Sequence, residues 1–65
     1  MKLEITYPDT IERISGRPAL KKLAIEADLL PDVGDGIDLG TRPMRVDDRH
    51  FRIVEGILEA VLTLK

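Results

Sequence analysis

The chain has 65 residues, a length that accommodates one small domain spanning 1–65. At 43% hydrophobic and 34% charged, with a net charge of −2, it is neither a disordered polar chain nor a carrier of the diffuse basic field that non-specific nucleic-acid binders use. It has no cysteine and one histidine, so neither a disulfide nor a Cys/His zinc cluster can staple a small core, which leaves close packing or self-association.

Size scaling puts the unfolded surface at roughly 10,600 Å² and a compact folded surface at roughly 4,200 Å². If about 60% of the loss is apolar, burial contributes on the order of 95–100 kcal/mol at about 25 cal/mol per Å². Ordering the chain at about 1.5 kcal/mol per residue costs nearly the same. Association is therefore expected to matter to this chain.

Along the sequence, Leu3, Ile5 and Tyr7 alternate with Lys2, Glu4 and Thr6, the period of a half-buried strand. Pro8-Asp9 is expected to end it as a turn. Residues 10–19 then read as irregular, with Ile11 and Ile14 fitting one short helical turn before Ser15-Gly16-Arg17-Pro18 breaks it.

Residues 19–30 fit two periods. Leu20, Leu23 or Ala24, Ala27 and Leu30 make a helical stripe behind Pro18, whereas Leu23, Ile25, Ala27 and Leu29 alternate as a strand. The dense turn signal Pro31-Asp32-Val33-Gly34-Asp35-Gly36, the alternation of Ile37 and Leu39, and the second turn Gly40-Thr41-Arg42-Pro43 favour the strand.

Met44 and Val46 alternate with Arg45 and Asp47, but Phe51 and Ile53 fall in the opposite phase. One extra residue near Asp47-Asp48-Arg49 produces this slip, which a β-bulge accommodates. Glu55-Gly56 is a hairpin turn signal, and Leu58, Ala60, Leu62 and Leu64 alternate as a last strand. The rival is a helix near 48–64, with Gly56 in its interior at a cost of about 1 kcal/mol.

The expected fold is therefore all-β, a small five-stranded antiparallel barrel or strongly bent sheet. The alternative is α+β with helices near 19–30 and 48–64. The run Pro31-x-Val33-Gly34-Asp35-x-Ile37-x-Leu39, followed by Met44-Arg45-Val46 and Phe51-Arg52-Ile53, resembles the turn-strand-turn-strand run of SH3-like small barrels, including KOW and Sm-like domains. It covers about residues 30–54. The resemblance implies a barrel and, in its Sm-like or KOW-like form, RNA binding. The Gly-rich segment and Asn-bearing loop of Sm proteins are not present.

Four arginines, Arg42, Arg45, Arg49 and Arg52, are the candidate binding residues for a partner or nucleic acid, because guanidinium groups grip carboxylate or phosphate in two-pronged contacts. They follow an acidic stretch holding Asp32, Asp35 and Asp38. Base-stacking barrels present several aromatics, whereas this chain has Tyr7 and Phe51, both expected to face the core. A solvated, cross-strand-paired arginine face is the simpler expectation.

The three aspartates do not follow the ligand spacing of a calcium loop and read as turn chemistry, with Gly34 or Gly36 supplying a positive φ. Gly34-x-Gly36 lacks the remainder of a phosphate cradle. His50 follows Asp47 and Asp48, and a strand would place Asp48 and His50 on one face as a local ion pair. Ser15 sits outside any nucleophile frame.

No catalytic residues, metal or cofactor are expected, and the chain reads as a non-enzymatic interaction module. Its expected partner is a second copy or another protein, with RNA as the alternative. Met1-Lys2-Leu3-Glu4 places an acid where a leader would turn apolar, which makes the cytoplasm the expected location. Apolar runs as short as Ala60-Val61-Leu62 predict no membrane partner.

Overall fold

The computed structural model describes residues 1–14, 16–40 and 42–65, and the side chains of these except 10–14. Five strands follow one another: β1 (Lys2–Ile14), β2 (Arg17–Glu26), β3 (Gly36–Asp38), β4 (Pro43–Val54) and β5 (Ile57–Leu64). The fold is all-β, and neither ambiguous segment is helical: 19–26 supplies most of β2, the expected strand phase stops short of Ala27 and Leu29 because 27–30 are irregular, and 48–64 supplies most of the β4–β5 hairpin.

The strands form one sheet in the order β2-β1-β5-β4-β3. Three of its four neighbour pairs are antiparallel, but β1 and β5 run parallel, Lys2–Thr6 facing Glu59–Thr63. This corrects the expected all-antiparallel barrel. The sheet is mixed and open, because β2 and β3 lie at opposite ends of the order and do not pair. Parallel neighbours need a long crossover, which is supplied here by the whole of β2, β3 and β4.

The turn expected at Pro8-Asp9 is also corrected. β1 runs through both residues to Ile14, and Pro8 stands opposite Leu20 in the β1–β2 ladder. The described ladder to β5 ends at Thr6, so beyond it β1 has β2 alone beside it. A residue without an N–H is tolerated at such a position as it is on an edge. Reversal comes instead at Gly16, with φ +77°. The short helical turn expected around Ile11 and Ile14 is replaced by strand backbone, their side chains lying outside the described residues.

Two local expectations are met. The β4–β5 register shifts between Val46 and Asp48, the site of the predicted bulge. At the hairpin, Glu55 and Gly56 have φ of +52° and +76°, the double positive φ of a tight I′ turn.

Register sorts the side chains into two faces. Leu3 lies opposite Ile25 and Ala60, and Ala60 opposite Phe51, so these share what we call the inner face. The core is on this face: Leu3, Ile5, Met44, Val46, Ala60, Leu62 and Leu64 are buried together. Tyr7, Ala27, Leu30, Ile37 and Leu39 pack against them. The cover is the segment from β2 to β3, which crosses the inner face as an irregular strap. The strap ends by joining the ladder, since Gly34 N donates to Val46 O at 2.8 Å and Val46 N to Asp35 O at 2.9 Å.

Candidate functional site

The four candidate arginines do not form one patch. Arg49 lies opposite Leu62 and so projects from the inner face, whereas Arg52 lies opposite Glu59 on the outer face. Arg45 alternates with the buried Met44 and Val46 and also points outward. The bulge separates these phases, because one inserted residue exchanges the faces of everything after it.

Arg49 ties the strap to the sheet. Its guanidinium donates to Pro31 O at 3.4 Å and pairs with the Asp32 carboxylate. Arg45 Nη1 donates to Gly34 O at 3.0 Å. It also lines an open cleft of about 480 Å³ with Val33, Met44 and Lys65. Arg42 is exposed beside Thr41, which lies outside the described residues.

Arg52 is the centre of a charge lattice on the outer face. It contacts Glu4 of β1 and Glu59 of β5, the latter through Nε to Oε2 at 3.0 Å. Lys2 Nζ approaches Glu59 Oε1 at 3.3 Å, and Lys22 Nζ lies 3.8 Å from Glu4. Charges of both signs thus link β2, β1, β5 and β4: Glu59 lies directly between Lys2 and Arg52, while Glu4 is reached by Lys22 and Arg52 from off its own register. The Glu59 side chain is 7% exposed, yet it keeps its charge because donors surround it.

Hydrogen bonding from Arg52, seconded by Lys2, holds the Glu59 carboxyl below its ordinary value against the opposing effect of burial. Hydrogen bonds to Glu4 and then Glu59 raise the Arg52 guanidinium above its own. Glu4 and Glu59 are the partners the sequence candidates omitted. Both sit in the polar phase of their strands, but only strand order shows that they meet at Arg52.

The remaining candidates do local work. Asp35 Oδ2 accepts from Asp32 N at 2.8 Å and Asp38 Oδ1 from Gly40 N at 2.7 Å, the turn chemistry expected of these aspartates. Gly34 has φ +95°, while Gly36 enters β3. His50 Nδ1 lies 3.1 Å from Asp48 Oδ2, the local pair predicted from their shared face. Tyr7 is half-buried against the core. Phe51 occupies the inner face but is 47% exposed, so its expected burial is corrected: the strap does not reach it.

Exposed apolar side chains therefore flank the strap on both sides. Leu23 and Ile25 lie along β2, and Phe51, Ile53 and Leu58 along the end of the β4–β5 hairpin. No protein-family model matches the chain, nor does any curated protein or solved structure.

Proposed function

We propose that this chain is a non-enzymatic interaction module that completes a one-sided core by associating with a second copy or with another protein. The observation that carries this is the area left uncovered. The folded chain exposes 4766 Å², against roughly 4,200 Å² for a compact chain of its mass. Its radius of gyration is 12.4 Å, where about 10.7 Å is expected of a 65-residue globule.

A domain buries its sheet against a second layer, and here that layer is one strap. Apolar residues in core phase beside it are the surface an added layer or strand would cover. The SH3-like resemblance enters this proposal through the β3–β4 hairpin and the bulge, which lie within residues 30–54.

An RNA-binding role would need free arginines on one surface. Arg45, Arg49 and Arg52 are divided between two faces and each is engaged within the chain, which favours the protein-interaction role. Sedimentation equilibrium over micromolar concentrations tests the proposal. Mass rising above 7.3 kDa with concentration is expected if the partner is a second copy. A strictly monomeric chain with high thermal stability, binding no protein, overturns it.

A further inference from the structure

We infer that the partner is a second copy of this chain, docked edge to edge through β2 in antiparallel register with Ala24 opposite Ala24 on the two-fold axis. This inference rests on the self-association role proposed above and adds its surface and register.

β2 is an outer strand of the sheet, with β1 on one side and, among the described residues, no strand on the other. Which of its backbone groups point outward follows from the end of the β1–β2 ladder. Met1 and Ala27 exchange both bonds, Met1 N to Ala27 O at 3.1 Å and Ala27 N to Met1 O at 3.0 Å. In an antiparallel ladder bonded and non-bonded pairs alternate, so Leu3–Ile25 is a bonded pair while Lys2–Glu26, Glu4–Ala24 and Thr6–Lys22 are not. The N–H and C=O groups of Lys22, Ala24 and Glu26 therefore point away from β1, toward the open edge. Edges of this kind invite a further strand.

A symmetric antiparallel pair sets one residue opposite itself, and the charges of β2 select which. With Lys21 or Lys22 on the axis, like charges meet. With Ala24 on the axis, Lys22 stands opposite Glu26 of the other copy, twice, and the outward backbone groups of Lys22, Ala24 and Glu26 meet as bonded pairs. Lys22 lies 3.8 Å from Glu4 and Glu26 3.3 Å from the Met1 amino group, but with side chains 73% and 82% exposed both pairs are solvent-facing and leave each group able to meet the other copy on the outer face. On the inner face the same register sets Leu23 opposite Ile25 of the other copy, covering two aliphatic side chains per chain that the strap leaves out. The outward backbone groups and the apolar cover accommodate this alignment, and within β2 it is the one that sets Lys22 opposite Glu26.

The chain has no cysteine, so single introduced cysteines report register directly. Ala24 is exposed, and a bonded antiparallel pair separates its Cα atoms by about 5.5 Å, within disulfide range. Under mild oxidation Ala24→Cys is expected to cross-link as a dimer in high yield, and Lys22→Cys to remain mostly monomeric. Lys22→Glu and Glu26→Lys are each expected to weaken dimerisation about tenfold or more by sedimentation, with the double exchange restoring it. Circular dichroism of each variant confirms that the fold is intact.

Three outcomes overturn the inference. If the wild-type chain is monomeric, self-association itself fails. If it dimerises but Ala24→Cys does not cross-link, or another position cross-links instead, this edge or register is wrong while self-association stands. If both single charge variants dimerise like wild type, the Lys22–Glu26 pairing is excluded.

Discussion

Leu62 and Ile53 belong to one hairpin, face the same way and are similar in size, yet Leu62 is 0% exposed and Ile53 73%. What separates them is the path of the strap. Residues 27–35 cross above Leu3, Leu62 and Val46 and are tied down at Arg49, leaving the turn end of β4 and β5 beyond their reach. Alternation therefore decides which face a side chain takes, but on the inner face burial follows the cover, and the strap supplies only part of one.

The contrast is sharpest at Leu62. Truncating a fully enclosed leucine to alanine costs about 2–5 kcal/mol, while about 3–10 kcal/mol is the whole stability expected of 65 residues. Leu62→Ala is therefore expected to leave the chain largely unfolded at 37 °C, read as lost cooperativity in thermal circular dichroism. A well-folded variant would show that the core lies elsewhere.

The outer face is expected to respond to pH through Glu59. Because Arg52 and Lys2 hold the folded Glu59 carboxyl below 4.5, the unfolded chain takes up its proton first as pH falls. The stabilisation is complete above pH 4.5 and is lost as pH falls toward the folded value. Glu59→Gln should lower the melting temperature at pH 7 and flatten its decline below pH 4.5. An unchanged acid slope would mean that the lattice around Arg52 does not couple to folding.

Much of this was legible in the sequence, for local reasons. The phase change between Val46 and Phe51 marked the bulge, and Glu55-Gly56 marked the hairpin, since each is written in adjacent residues. Pro8-Asp9 misled because a proline reads as a stop unless its strand is known to lack one neighbour there. The parallel β1–β5 pair was illegible for a deeper reason: Leu3–Ile5 and Ala60–Leu62 alternate identically whichever way the strands run. The four arginines are close together in the sequence, but the slip that marks the bulge assigns Arg49 to the phase of Phe51 and Ile53 and so parts it from Arg52. Glu59 as partner of Arg52 follows from the hairpin, but Glu4 requires the non-local order of the sheet.

Arg49 tests the strap itself. Its side chain is 30% exposed and Asp32 72%, so losing the ion pair and the bond to Pro31 O is expected to cost only about 1 kcal/mol. The larger consequence is local. In Arg49→Ala the Gly34 amide, which donates to Val46 O, should exchange with solvent about fivefold faster, while amides between β1 and β5 keep their protection. Uniform acceleration across the sheet would instead mean that strap and sheet open together.

Ile53 should show the smallest effect, and the most informative one. With 73% of its surface already in water, Ile53→Ser removes little burial on folding and is expected to shift stability by no more than about 0.5 kcal/mol in urea denaturation, against several for Leu62→Ala. It lies across the sheet from β2, so pairing through Lys22–Glu26 should survive it unchanged. A loss above about 2 kcal/mol that grows with protein concentration would show that another copy covers this end of the face, moving the missing layer from the edge of β2 to the β4–β5 hairpin.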